Sequence, residues 1–292
     1  GSQEICASAL KQHLFVIAFK GPKYELRTYP FAGFSKEKHM QVTIHTYLIV
    51  LPLLFLGGFV DSIGGGGGLV SLPAYLLAGL PPVPAVATNK FSSAWGTGLT
   101  TGRFAINRLI PWKATLPAIL MAFIGSTLGA HLALVIDTKM MTYLLYFILP
   151  VTALLVLNKN LFKEHDASER VSRRVTALIA CLLAFFIGIY DGFYGPGTGT
   201  FLIIGLTILA RLPMTQANGM TKAINLTTNV AGAVVYLING QVLLTLGIAA
   251  AAANMLGNYV GSGLAMKNGT RITRPIILAV LVLLLIKVIF KF

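Results

Sequence analysis

Acid is what this sequence has least of. Only nine of its 292 residues are Asp or Glu, against 23 Lys and Arg. The charged fraction is 11%, where soluble domains carry about 25%. Too little polar surface is available to coat a soluble globule. With 55% hydrophobic residues and a mean hydropathy of +0.77, the chain belongs in a bilayer. Cysteine is nearly absent as well. Cys6 and Cys181 stand far apart, one in a polar leader and one in an apolar run, which excludes a disulfide framework. No His, Cys and Asp cluster has metal-ligand spacing, and no nucleophile has a base nearby, so neither a metal, a cofactor nor an enzyme activity is expected. The net charge of +14 raises the question of nucleic acid. The basic residues, however, gather at the ends of apolar runs, where anchoring to the inner leaflet accounts for them, and nucleic-acid binding is set aside.

What the sequence does have is one unusual stretch, twice. Residues 61–90 read DSIGGGGGLVSLPAYLLAGLPPVPAVATNK, and residues 191–222 read DGFYGPGTGTFLIIGLTILARLPMTQANGMTK. Each runs from an aspartate through a glycine-rich break, a short apolar run and a Leu-Pro turn to a lysine. Asp61 and Asp191 are 130 residues apart; Lys90 and Lys222, like Leu80-Pro81 and Leu212-Pro213, are 132 apart. The chain therefore reads as two tandem copies of one unit. The glycine string is not a phosphate loop, because no Gly-Lys-Ser/Thr follows it.

Around these stretches the chain divides into a leader (residues 1–40), a first transmembrane repeat (41–157), a cytoplasmic linker (158–174) and a second repeat (175–292). Gly1-Ser2 resembles a cloning scar, and Met40 is a candidate natural start. A hydrocarbon core of ~30 Å needs ~20 helical residues, and apolar runs of suitable length occupy 42–60, 91–106, 114–136, 140–157, 175–190, 219–238, 242–266 and 275–290. Two pieces, 69–80 and 201–210, are too short to span and read as re-entrant half-helices, the first ended by Pro81, Pro82 and Pro84. The expected fold is an all-α polytopic membrane protein, each repeat having about four transmembrane helices, one glycine-broken helix and one half-helix. Eight crossings put the basic loop at 103–113, the linker and the carboxyl end inside, and only the loop with Lys267, Arg271 and Arg274 disagrees. Ten crossings, with five in each of two inverted halves, form the alternative.

Two features point to a site. Of the nine acids, all but Asp61 and Asp191 lie in the leader or in loops. An ionised aspartate near mid-membrane costs roughly 2.5–3.5 kcal/mol on insertion scales. Asp61 and Asp191 are either interfacial helix caps or a proton-coupling pair. Lys90 and Lys222 each follow a polar turn (residues 87–89 and 218–221) and open an apolar span, where a lysine opposes the helix dipole. Recurrence of that choice points to holding an anion; snorkelling to headgroups is the bland alternative. Asn89, Ser93 and Thr97 in one half, and Asn225 and Asn229 in the other, would add hydrogen bonds. Gly65, Gly67, Gly197 and Gly199 would allow close backbone approach, since free N–H groups at breaks and half-helix ends hold anions well. His131 reads as an interhelical hydrogen bond.

These motifs, from the Asp-x-x-Gly-Gly-Gly-Gly-Gly…Ala-Thr-Asn-Lys stretch to its copy ending Thr-Lys-Ala-Ile-Asn, resemble the TauE/SafE sulfite exporter family, with the likeness running from about residue 42 to the end. The resemblance implies a permease of the bacterial inner membrane that moves sulfite, sulfoacetate or a related organosulfonate, coupled to protons. Its expected partners are a small anion, protons and lipid. A passive anion channel with the same site is the alternative.

Overall fold

The structure, a computed structural model, describes residues 42–136 and 171–268 together with Ile272 and Pro275. The leader, the span expected over 140–157, all but Pro275 of the span expected over 275–290, and residues 158–170 of the linker lie outside the described residues. Among the described residues there are eight helices and no strand: α1 (Ile44–Gly64), α2 (Gly68–Leu77), α3 (Pro82–Ile106), α4 (Trp112–Val135), α5 (Arg173–Phe193), α6 (Thr198–Ile208), α7 (Met214–Ile238) and α8 (Leu244–Asn268). Helices α1, α4 and α5 are each long and apolar enough to cross a membrane. Their exposed faces carry large side chains such as Leu48, Leu120 and Phe186.

Helices α3, α7 and α8 have 25 residues each, about 37 Å at 1.5 Å per residue. They are long enough to cross but less apolar, because the face of α3 turned inward carries Thr88, Asn89, Lys90, Ser92, Thr97 and Thr100, all buried. This corrects the expected helix starts. Pro82 and Pro84 do not end a half-helix. Pro82 opens α3, where a proline's missing N–H is no loss. The supposed polar turns at 87–89 and 218–221 are helical, and Lys90 and Lys222 stand two turns inside α3 and α7 rather than at their amino ends. His131 is corrected too: its Nδ1 lies 2.8 Å from the Thr127 carbonyl of its own helix, on an exposed face.

Several backbone details recur 132 residues apart. Helix α7 begins and ends 132 residues after α3. Left-handed φ occurs at Gly79 (87°) and Arg211 (50°), and at Arg108 (55°) and Gly240 (66°). After α3, Asn107 Nδ2 donates to the Arg103 carbonyl at 2.8 Å; after α7, Asn239 Nδ2 donates to that of Val235 at 2.8 Å.

The most extensive helix contacts are α4 with α5 and α1 with α8, so each joins a helix from before residue 137 to one from after residue 170. Small residues make them. A Cβ on Gly129 would lie 2.0 Å from the Ile189 carbonyl oxygen, and one on Gly257 would lie 1.9 Å from that of Phe55. With lipid as apolar as any side chain, close backbone approach is what holds such helices together. Enlarging either glycine forces a packed pair apart, at about 1–3 kcal/mol for overpacking. Gly129→Ala and Gly257→Ala should each lower the melting temperature of the detergent-solubilised protein by several degrees. Gly102→Ala, on α3 with open space around the added methyl, should leave it unchanged or raise it. Melting followed by tryptophan fluorescence checks all three.

Candidate functional site

The glycine breaks are where the fold closes on itself. Helix α1 ends at Gly64, and Gly65 turns the chain with a φ of 74°, which a side chain would resist. Gly197 plays the same part before α6, at φ 85°. The two breaks touch backbone to backbone: a Cβ on Gly65 would sit 2.3 Å from the Gly199 carbonyl carbon, and one on Gly199 would sit 2.5 Å from the Gly65 Cα. Thr200 Oγ1 fastens the contact by donating to the Gly64 carbonyl at 2.9 Å. The amino ends of α2 and α6 are thereby brought to one place.

The two aspartates lie in the last turns of α1 and α5, 8% and 2% exposed. A carboxylate at a helix carboxyl end is opposed by that helix's own dipole, and burial removes both from open solvent. Compensation comes from the lysines, and the pairing is crossed. Lys90 Nζ of α3 lies 2.6 Å from Asp191 Oδ2, while Lys222 Nζ of α7 lies 3.6 Å from Asp61 Oδ2 and donates to the Asp61 backbone carbonyl. Each lysine thus faces the aspartate of the other motif. Both are buried, so neither snorkels to headgroups.

The Lys90 pair is set in a polar frame. Asp191 Oδ1 accepts a hydrogen bond from Thr198 Oγ1 at 2.7 Å. Lys90 Nζ donates to Asn229 Oδ1 at 3.2 Å, and Asn229 Nδ2 donates to Thr97 Oγ1 at 3.3 Å. Tyr236, fully buried, donates to the carbonyl of Gly192, the residue after Asp191, at 2.9 Å.

Between the two pairs lies a polar cavity. Asp61, Lys90 and Asp191 line it, with Asn89, Ser93, Asn225 and Asn229. Gly65, Gly67 and Gly199 contribute backbone. Of the residues singled out from sequence, Lys222, Thr97 and Gly197 lie outside this lining. Lys222 and Thr97 stand behind it, through Asp61 and Asn229, and Gly197 caps α6. Four lining residues escaped the sequence reading: Gly68, Gly195, Thr198 and Asn254. Asn254 had a signal, since it interrupts an apolar alanine run. The Asn89 carboxamide oxygen and Asp61 Oδ2 are buried without a hydrogen bond; turning the Asn89 amide presents its NH2 group to the same space. Room for the centres of water molecules amounts to ≈ 20 Å³, enough for about one or two waters. The site is therefore small, with its charges paired with one another.

The family model described as "Sulfite exporter TauE/SafE" matches residues 50–288. The chain is 35% identical over 246 residues to a probable membrane transporter protein, ORF9, of Sinorhizobium sp, covering 84% of this chain and 93% of that one. It is 30% identical over 238 residues to a probable membrane transporter protein of Haemophilus influenzae, covering 82% and 92%. It is also 30% identical over 246 residues to the probable membrane transporter protein YfcA of Escherichia coli K12, covering 82% and 90%. No solved structure matches the chain significantly. Through that match, its relatives and its apolar helices, this membrane protein belongs to the TauE/SafE sulfite exporter family.

Proposed function

We propose that the chain is a secondary transporter of the bacterial inner membrane that moves a small sulfur oxyanion, such as sulfite, sulfoacetate or a related organosulfonate, together with protons. The family and the names of its relatives describe membrane transport rather than an enzyme. The recurrences 132 residues apart support two tandem repeats, and the lengths of α2 and α6, 10 and 11 residues, support re-entrant half-helices.

One observation carries the coupling. Lys90, Lys222, Asp61 and Asp191 are the charged side chains at the two breaks, and their formal charges sum to zero. Net charge in a low-dielectric site is expensive. An anion entering this neutral group leaves it negative unless a proton enters with it. Asp191 is the group placed to take that proton: its carboxylate occupies Lys90, the cation on the cavity wall, and competes with the substrate for it. Around Asp191 stand Lys90 of α3, Thr198 of α6 and Tyr236 of α7, with Asp61 of α1 across the cavity. Protonated Asp191 frees the ammonium for the anion. The half-helix amino ends and the Asn89, Ser93 and Asn225 side chains complete its binding. One proton, on Asp191, then balances a monoanion such as hydrogen sulfite; a dianion such as sulfoacetate takes a second, on Asp61, and transport is electroneutral.

The pairs divide the labour. Lys90 lines the cavity and would hold the anion; Lys222, behind the wall, would hold Asp61 and the end of α1. A charge-assisted hydrogen bond contributes about 1.5–3 kcal/mol, and 1.4 kcal/mol is tenfold in affinity. Lys90→Gln is therefore expected to weaken sulfite or sulfoacetate binding by roughly ten- to a hundredfold, whereas Lys222→Gln should act chiefly by lowering thermal stability. Calorimetric binding and melting curves on the same preparations separate the two, and a Lys222 effect on affinity alone would reverse the assignment.

In proteoliposomes, sulfite uptake should accelerate under an inward proton gradient and ignore a potassium–valinomycin potential. Asp191→Asn should keep counterflow but lose the response to the gradient, while its binding becomes independent of pH. Flux that follows the potential, saturates poorly and shows no counterflow would identify a passive anion channel instead.

A further inference from the structure

A line of polar side chains leaves the cavity along one side of the fold, and neither the breaks nor the ion pairs require it. It begins at Asn254, on the cavity wall. Asn258 and Ser262 follow at four-residue steps, which places all three on one face of α8. All are buried, at 3%, 0% and 0% exposure. From Asn254 to Ser262 the helix rises about 12 Å. Asn258 Nδ2 donates to Asn254 Oδ1 at 2.9 Å, and Asn258 Oδ1 accepts from Thr100 Oγ1 of α3 at 2.8 Å. Arg103, one turn further along α3, closes the far end by donating to Ser262 Oγ at 2.6 Å and to the Tyr259 carbonyl. Its guanidinium lies 4.5 Å from the centre of the Tyr259 ring.

Two facts make this more than helix packing. The only carboxylates among the described residues are Asp61 and Asp191, both paired with lysines, so Arg103 has no acid partner among the described residues. Such an arginine at the mouth of a polar line draws anions and repels cations. The line is also one-sided. At the positions of α4 that lie 132 residues before it stand Ala122, Ser126 and Ala130, and the counterparts of Thr100 and Arg103 on α7 are Gly232 and Val235. Packing alone is met on that side by small residues, with one hydroxyl bond from Ser126 Oγ to the Thr228 carbonyl at 2.6 Å.

We propose that Asn254, Asn258 and Ser262 of α8, with Thr100 and Arg103 of α3, form the passage by which the anion reaches or leaves the central cavity, and that this passage serves one membrane face only. The inference rests on the anion-site reading of the cavity. Amide and hydroxyl groups would replace the anion's water stepwise, and Arg103 would collect it at the mouth.

Single cysteines test this in a Cys6→Ser, Cys181→Ser background reconstituted in liposomes. Thr100→Cys, Asn258→Cys and Ser262→Cys are compared with Ala122→Cys, Ser126→Cys and Gly232→Cys. The probes are two membrane-impermeant methanethiosulfonates, one bearing a sulfonate and one a trimethylammonium group, applied from either side. The passage positions should react at least tenfold faster than their counterparts, from one side only, with the sulfonate probe preferred. Arg103→Gln should abolish that preference. The conservative Ser262→Cys and the separate helix carrying Thr100 keep the test open if one variant fails to fold. Passage positions as inert as their counterparts, or reactive without regard to side or charge, would overturn the proposal, even with sulfite flux intact. Reactivity as expected in a protein that neither binds nor moves sulfite would support the passage and refute sulfite as the substrate.

Discussion

A buried ammonium facing a buried carboxylate is the constraint on which the rest of this structure turns. Neither partner is at ease in its own helix. Asp61 and Asp191 stand where the dipoles of α1 and α5 disfavour negative charge. Lys90 and Lys222 stand inside helices, cut off from bulk water. Each is tolerable only because the other is there, and breaking such a pair leaves a buried charge that is worse than either the pair or none. The pairing also crosses between the two recurring motifs, so neither motif can satisfy its charges alone.

That crossing has a counterpart in the packing. Helices α1 and α8 meet through glycine, and so do α4 and α5, each contact joining the earlier and later parts of the chain. The two glycine breaks add a third contact, backbone on backbone at Gly65 and Gly199. Backbone in close contact cannot adjust gradually. Enlarging the cavity therefore means moving whole helices, and the ion pairs tie α3 to α5 and α7 to α1 across it. Under the proposed proton-coupled transport, protonation, anion entry and helix movement would be one event, which is how a carrier differs from an open pore.

Much of this was legible in the residues. The scarcity of acid and the long apolar runs set the class, and the glycine string required helix α1 to end near residue 64 whatever its surroundings, because poly-glycine cannot sustain a helix. The recurrence of Asp, glycines and Lys at a shift of about 130 residues picked out the charged groups that the structure brings together. Local rules failed at residues 82–90. Prolines there suggested a stop, yet the same residues serve as a start, and residues 87–89 looked like a turn, whereas in the fold Thr88 Oγ1 accepts from the Leu243 amide and Asn89 lines the cavity.

By itself, then, the sequence determined that the chain is helical and membrane-bound, where it breaks, and which few charges it keeps in apolar surroundings, since each follows from the cost of placing backbone or charge in lipid. Only the tertiary structure decided the partners. Which aspartate meets which lysine depends on how α3 and α7 lie against α5 and α1, and nothing local to Lys90 distinguishes Asp191 from Asp61. The division between Lys90 on the cavity wall and Lys222 behind it, and the line from Asn254 to Arg103 on one side alone, likewise come from helix packing: burial and neighbours are properties of the assembled fold, and two residues alike in motif acquire different surroundings there.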